Sequence, residues 1–267
     1  MKTNVYNLEG ERVKEIELPS VFSEEIRPDV IKRAGLVLQS AKRQRYGANP
    51  RAGMEYSAKL SKRRKDYRGS YGKGISRVPR KVMLRRGTQF VLTGAVVSGT
   101  VGGRKAHPPK SEKIFKIKIN KKENKKGIRS AIAATIDKDY LIKKGFSSLD
   151  KVPLVVEGLE KLSKTSDAIK LFKTLGLENE IKRASKKTIR SGKGTMRGRK
   201  YKKVKGPLIV VSKKDSSDMA CNNLAGFDIS NVNSLNVDIL APGATPGRMI
   251  IWSLDSIKKL DKEKLFI

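Results

Sequence analysis

The 267-residue chain contains one cysteine, one histidine and one tryptophan. A lone cysteine, Cys221, excludes an internal disulfide and any zinc site built from cysteines, so we expect a reducing compartment. A lone histidine, His107, leaves a catalytic triad or a histidine metal cluster without a second imidazole. No apolar run approaches the ~18 residues of a membrane span, and the first residues lack the hydrophobic block of a signal peptide. We therefore expect a soluble cytoplasmic protein without a metal or a cofactor.

Acidic residues are also scarce, because 26 Asp and Glu stand against 60 Lys and Arg, which gives a net charge of +34. Such a charge indicates a nucleic acid or another polyanion as the partner. The few acids lie mainly among lysines or at expected helix starts, where ion pairing and capping explain them. No carboxylate pair suggests catalysis, so we do not expect an enzyme. Hydrophobic residues still make up 37% of the chain, which is enough for one real core.

The positive charge is concentrated in two stretches. Residues 40–110 hold 19 Lys or Arg and only two acids, and residues 190–206 hold eight cations, four glycines and no acid. Too little apolar surface accompanies either stretch to offset the entropy cost of ordering it, so we expect loops that a polyanion holds in shape. Aromatic rings among cations can stack on unpaired bases or on each other. Four of the seven tyrosines fall in the first stretch: Tyr46, Tyr56, Tyr67 and Tyr71.

The remaining residues have the pattern of an α/β domain. Two short strands are expected on either side of Gly10, and a helix is expected to begin at Pro28. Residues 111–136 are ambiguous between strand alternation and helical spacing, and we favour a helix that begins at Ser111. Another helix should be capped by Ser166. Four short apolar runs separated by helical or loop segments predict a mostly parallel sheet flanked by helices: 152–156, 208–211, 227–232 and 249–252.

Three local motifs allow two interpretations each. The stretches GSYGKG at 69–74 and SGKGTMRG at 191–198 are reminiscent of phosphate-binding loops, but neither satisfies a nucleotide-binding pattern or lies between a strand and a helix start. His107 can stack or donate a hydrogen bond beside RNA, or it can be an ordinary turn residue. The lysine-rich run at 120–126 is either a solvated helix face or a further phosphate contact.

Six stretches, taken together, resemble one family nearly end to end, namely ribosomal protein four of the large subunit in its archaeal and eukaryotic branch. The chain ends soon after SLDSIKKLDKEKL, which is similar to the archaeal type. The stretches are RYGANPRAG (45–53), SRVPRKVMLRRG (76–87), GGRKAHPPK (102–110), IRSAIAAT (128–135), SGKGTMRGRKYKKVKGPLIVVS (191–212) and LAPGATPGR (240–248).

The resemblance implies a structural component of the large ribosomal subunit that binds and stabilises the large-subunit rRNA. It implies one α/β globular domain over residues 1–267, interrupted by an extended basic loop at 47–109 and a second basic loop at 190–206. The first loop would reach the wall of the peptide exit tunnel, with Arg77, Pro79 and Arg80 near its tip. Neighbouring ribosomal proteins are the other expected partners, a membrane is not, and the protein would be a monomer within the ribosome.

The candidate RNA contacts are the cations of the two loops and their flanks, together with one tyrosine and one histidine. Two other hypotheses compete with this one: an enzyme that acts on RNA, and a chromatin-like protein that binds DNA generally. The candidate residues are Arg43, Arg45, Tyr46, Arg51, Lys62, Arg63, Arg64, Arg68, Lys73, Arg77, Arg80, Lys81, Arg85, Arg86, Arg104, Lys105, His107, Arg190, Lys193, Arg197, Arg199 and Lys200.

Overall fold

The structure is a computed structural model that describes residues 1–66, 69–147, 152–213 and 221–266. Internal contacts divide the chain into two units. We call the first unit, Met1–Lys42 together with Lys116–Ile267, the body, and the second, Arg43–Phe115, the basic segment. The candidate contact Arg68 and the neighbouring Tyr67 lie outside the described residues.

The strands and helices follow one another in chain order. The strands are β1 (Lys2–Tyr6), β2 (Arg12–Glu17), β3 (Arg80–Arg86), β4 (Gln89–Gly94), β5 (Leu154–Val156), β6 (Lys187–Ile189), β7 (Tyr201–Lys203), β8 (Leu208–Val211), β9 (Asp228–Asn231) and β10 (Ile250–Ser253). The helices are α1 (Pro28–Ala41), α2 (Lys121–Ala133), α3 (Lys138–Lys143), α4 (Thr165–Thr174), α5 (Glu178–Ser185), α6 (Val237–Leu240) and α7 (Leu254–Lys262).

Six strands of the body form one sheet in the order β2-β1-β5-β10-β8-β9. Neighbouring strands run parallel except β1 and β2, which form an antiparallel hairpin. Asn7 begins the turn of this hairpin, because its side-chain oxygen accepts hydrogen bonds from the backbone N–H groups of Glu9 and Glu11. The structure thus confirms the prediction of a mostly parallel sheet in a mixed α/β fold.

Both faces of the sheet are buried. Side chains alternate along each strand, so Trp252 joins one hydrophobic cluster while its neighbour Ile251 joins the cluster on the opposite face. Helices α1, α2 and α7 cover the first face, and α4 covers the second. Because parallel strands are buried on both sides, they read in the sequence as continuous apolar runs, as LIVV in β8 does.

Helix α1 begins at Pro28, as predicted, since proline has no N–H to lose at this position. Its face packs against α2, and Gly127 of α2 allows the close approach, because a Cβ there would lie 3.3 Å from the Ala34 side chain. On the same side of the sheet, Phe22 meets Trp252 edge to face, with ring centroids 5.2 Å apart. These contacts make the body a stable frame with its own core.

Two predicted helix starts were wrong. The helix expected from Ser111 begins at Lys121, and the preceding residues form no regular element. There a side chain of α1 binds the backbone, because the Ile117 N–H donates to the hydroxyl of Ser40 at 3.1 Å. Ser166 lies within the first turn of α4 and provides no cap, since its hydroxyl donates to the carboxylate of Asp167.

Each basic stretch contains an antiparallel ribbon that the sequence did not reveal. In the basic segment β3 pairs with β4, and Gly87 has the positive φ that a tight two-residue turn needs. The register shifts between Val82 and Leu84, so Met83 is an extra residue that interrupts the alternation of side chains. At the second stretch, β6, which ends at Ile189 just before residue 190, pairs with β7 inside the stretch.

Strand β2 lies at one edge of the main sheet. It is exposed along most of its length and carries charged residues of both signs, with sequence RVKEIE. At the other edge lies the four-residue strand β9. Among the described helices, none is long and apolar enough to cross a membrane.

Candidate nucleic-acid interface

The candidate contacts of the basic segment lie at its surface. Arg80 and Lys81 are half-buried at the start of β3, and His107 is exposed. The structure does not describe Arg68. The other candidates of the segment are exposed: Arg43, Arg45, Tyr46, Arg51, Lys62, Arg63, Arg64, Lys73, Arg77, Arg85, Arg86, Arg104 and Lys105.

Cations of the basic segment have almost no acids to pair with. Residues 43–115 hold 19 Lys or Arg and three acids: Glu55, Asp66 and Glu112. Within the described part of the segment, none of these cations forms an ion pair. Their charge is therefore available to an external anion, which gains more from them than from cations already neutralised.

Aromatic rings hold several of these cations in place. The guanidinium of Arg77 lies 4.6 Å from the centre of the Tyr71 ring, and the ammonium of Lys81 lies 4.0 Å from that of Tyr56. Cation–π contacts of this kind fix the position of a charge without neutralising it. Two tyrosines of this stretch are thus in contact with its cations, an arrangement that the composition did not predict.

The residues predicted for the loop tip lie around the start of β3. Arg80 begins this strand, and Arg77 and Pro79 come just before it. Arg80 pairs with Lys59 through two backbone hydrogen bonds of 3.2 Å, and its guanidinium donates to the carbonyl and hydroxyl of Ser76. Its buried Nε has no partner among the described residues. The tight turn of the ribbon lies further along the chain, at Gly87.

The second basic stretch is a ribbon closed by a glycine-rich turn. The Arg190 N–H donates to the carbonyl of Lys200, and its Nε donates to the carbonyl of Arg199. The Thr195 hydroxyl donates a hydrogen bond to the carbonyl of Arg190 at 2.5 Å. Its candidate contacts are all exposed: Arg190, Lys193, Arg197, Arg199 and Lys200. Because 191–198 connects two strands, it has no helix N-terminus to bind a nucleotide phosphate.

At the two ends of the basic segment, aromatic and cationic side chains surround an open pocket of about 540 Å³. The rings of Tyr46 and Phe115 are nearly parallel, with planes 14° apart and centroids separated by 6.0 Å. The guanidinium of Arg43 lies 4.1 Å from the centre of the Phe115 ring. Sequence reasoning missed Phe115, although a lone aromatic residue among lysines was a signal for it.

A buried cation of the body, Arg248, binds groups of the protein itself instead. The guanidinium of Arg248 donates to the carbonyls of Gly206 and Ile239 at 2.9 Å and to the carboxylate of Asp228 at 2.6 Å. Burial lowers the pKa of Arg248 in spite of this carboxylate. Burial also opposes ionisation of Asp228, but hydrogen bonds and charges from Lys205 and Arg248 outweigh it and lower the pKa of Asp228. This cluster joins β9 to the residues before β8.

These observations define a class of protein. The chain combines a sheet buried on both faces with two cation-rich surfaces, and both surfaces carry the residue types that contact nucleic-acid backbones. Among the described residues, no group of three or more His, Cys, Asp and Glu side chains could hold a metal ion. The class is a basic α/β protein suited to a polyanionic partner.

Comparison with known proteins identifies the family. Residues 16–263 match the ribosomal protein L4/L1 family. The chain is 49% identical to the large ribosomal subunit protein uL4 of Nanoarchaeum equitans over 267 residues, which cover all of both chains. It is 44% identical to the uL4 of Archaeoglobus fulgidus, covering 97% of this chain and 98% of the relative, and 42% identical to that of Methanocaldococcus jannaschii, covering 97% and 98%. The chain therefore belongs to the ribosomal protein L4/L1 family.

Membership of this family confirms the resemblance found in the sequence, including its archaeal type. It also confirms that the protein is not an enzyme and that it works in the cytoplasm, where ribosomes act.

Proposed function

We propose that this protein is a structural component of the large ribosomal subunit that binds and stabilises the large-subunit rRNA. One observation supports this most strongly: the cations of the basic segment outnumber its acids 19 to three, and none of the described ones is in an ion pair. Folded RNA supplies the missing negative charge. The relatives are named as proteins of the large ribosomal subunit, which supports the same proposal.

The two basic stretches carry the binding. Residues 47–109 act as a long loop that enters folded rRNA, and residues 190–206 contact its backbone from a second place. Each cation that neutralises a phosphate releases a counterion, so the affinity of the protein for rRNA falls steeply as the salt concentration rises. This holds until folded RNA encloses the loop. Backbone contacts of this kind position the protein, while stacking on aromatic rings adds selectivity for unpaired bases.

The start of β3 is the part of the loop that we place near the wall of the peptide exit tunnel. Arg77, Pro79 and Arg80 carry this assignment through the family resemblance. Their local structure supports it, because Arg80 is held by Ser76 and Lys59 while Arg77 is held by Tyr71. Side chains fixed in this way can define a wall. Neighbouring ribosomal proteins are the remaining partners, and the protein is present as one copy per subunit.

The test is sedimentation of a native lysate, followed by a wash of the large subunits in about 1 M salt, where exposed ion pairs are screened. We expect the protein to sediment with the large subunit and to stay there after the wash, because rRNA encloses the basic segment. A chain that lacks residues 47–109 is the matched comparison and should be released. Release of the intact protein into the soluble fraction would contradict the proposal.

A further inference from the structure

The ends of the basic segment are held together by backbone contacts that preform a pocket. The Ala48 N–H donates to the Pro109 carbonyl at 3.0 Å, and a Cβ on Gly47 would collide with the backbone of Ser111. The Lys113 N–H donates to the carbonyl of Lys110 and forms a turn beside them. The pocket walls are therefore fixed by the backbone before any ligand arrives, which lowers the entropy cost of binding.

The side chains of this pocket suit a flat, anionic ligand. The Tyr46 ring is 57% exposed, and Phe115 packs behind it with Arg43 on its ring. Lys110, Lys113 and His107 also line the pocket. None of the Tyr46, His107 and Glu112 side chains forms a hydrogen bond or an ion pair with any described residue. The pocket thus offers one open aromatic face surrounded by available polar groups.

We propose that this pocket binds a single unpaired nucleobase of RNA. The base stacks on the exposed face of Tyr46, and the ammonium groups of Lys110 and Lys113 contact the adjoining phosphates. Every base has a π-face, and stacking on an aromatic side chain is a recurrent mode of single-strand recognition. The inference rests on the proposed function, because it names one nucleotide site within that interface.

Glu112 gives the pocket a preference among bases. An ionised carboxylate only accepts hydrogen bonds, so it favours a base that presents an amino group. Cytosine presents N4–H₂ at the position where uracil presents a carbonyl oxygen. Uracil has one donor, its N3–H, but this lies between two carbonyl oxygens that repel a carboxylate, whereas cytosine offers two amino hydrogens. Since the two pyrimidines are similar in size and stacking, cytosine binds the pocket more tightly than uracil.

Ultraviolet cross-linking of the full-length protein on transcribed large-subunit rRNA tests the site, with the modified peptide mapped by mass spectrometry. We expect a nucleotide adduct on Tyr46 or on residues 107–115. Tyr46→Leu should reduce this adduct at least about fivefold and weaken rRNA binding by about 5- to 10-fold. Tyr46→Phe keeps the ring and should remain within about twofold of the wild type.

Tyr140→Leu is the matched control, because Tyr140 lies in the body and also carries a lysine, Lys143, over its ring at 5.2 Å. If Tyr46→Leu binds rRNA with wild-type affinity and gives as much adduct as Tyr140→Leu, the pocket is not a nucleobase site. The proposed function would remain intact. Equal binding of rRNA and duplex DNA by the wild type would instead contradict the proposed function.

The base preference has its own measurement. Oligocytidine should compete for the pocket adduct at about tenfold lower concentration than oligouridine of equal length. Glu112→Gln should abolish the difference, because an amide can donate to the uracil carbonyl as well as accept. Equal competition by both oligonucleotides in the wild type would show that Glu112 does not select the base.

Discussion

The body and the basic segment differ in what their lysine and arginine side chains contact. The ion pairs among the described residues all lie in the body, for example Arg129 with Glu24 at 2.9 Å and Arg183 with Glu180 at 2.7 Å. In the described part of the basic segment several cations lie on aromatic rings or donate to backbone carbonyls instead, as Arg77 lies on Tyr71 and Arg80 donates to the carbonyl of Ser76. The difference teaches that the body contains partners for part of its own positive charge, while the positive charge of the segment remains available to an anion from outside.

The two regions differ in the same sense in their hydrophobic burial. The body has a cluster on each face of its sheet, whereas Ala95 is the one buried hydrophobic residue in the described part of the basic segment. Burial of apolar surface is the main stabilising contribution to folding. We therefore expect stability to depend on the core of the body and binding to depend on the basic segment and the exposed stretch 190–206, and four experiments can break or sharpen that division.

The largest effect is expected from Trp252→Ala in the body. The side chain is fully buried against Phe22, so its removal leaves a large cavity and should lower the free energy of unfolding by about 3–5 kcal/mol. Met83→Ala in the basic segment is the comparison, because Met83 is 60% exposed and should cost about 0.5 kcal/mol or less. Denaturant unfolding of both variants measures this, and similar losses would remove the distinction between the regions.

A smaller loss is expected from Arg248→Met. Arg248 is 2% exposed, and its removal leaves three carbonyls and Asp228 without their donor, which should cost about 3 kcal/mol. Lys205→Met removes the other cation on Asp228, but its side chain is 58% exposed, so the cost should be about 1 kcal/mol or less. Thermal and denaturant unfolding should rank the two in this order, and the reverse ranking would refute the structural role of Arg248.

The third experiment neutralises charge in the segment. Changing Arg63, Arg64, Arg85 and Arg86 together to Gln should reduce the slope of log affinity for rRNA against log salt by about 3, since each phosphate contact contributes roughly 0.7–0.9. Stability should be nearly unchanged.

The control for this variant makes the same change of charge in the body: Arg12, Lys14, Lys170 and Lys182 to Gln. All four are exposed and lie beside acids, so the salt slope should change by less than about 1. Equal slopes for the two quadruple variants would mean that net charge alone, and not its place, determines binding.

The smallest effect concerns acid. Lys205 and Arg248 lower the pKa of Asp228 below its usual value of 3.8 in spite of its burial. Its contribution is therefore fully present above about pH 4 and is lost as the pH falls through the lower, folded value. Asp228→Asn should flatten the decline in unfolding free energy as the pH falls below about 4. Superimposable profiles for variant and wild type would contradict the assigned pairing.

The sequence predicted the parts of the fold that depend on burial. Apolar runs such as LIVV revealed β8, and Pro28 marked the start of α1, because each signal is local and strong. The start of α2 was misplaced because the residues before it are bound by a distant hydroxyl, that of Ser40. The β3–β4 ribbon was missed because the extra residue Met83 breaks the alternation on which strand prediction relies.

The candidate interface was predictable by composition but not by arrangement. Counting cations was enough to identify the two basic stretches. No local pattern could show that Tyr46 and Phe115 become parallel neighbours, since 68 residues of chain separate them and backbone contacts at Gly47 bring them together. Pairings of this kind come from the path of the chain, which sequence periodicity does not encode.

The edge strand β2 has a consequence for how copies of the protein meet one another. An open sheet edge can pair with a strand of another copy and so lead to association. The alternating charges of RVKEIE discourage a second strand from adding there, and the short β9 offers little length at the other edge. Both edges of the sheet therefore offer little opportunity for a strand of a second copy to add.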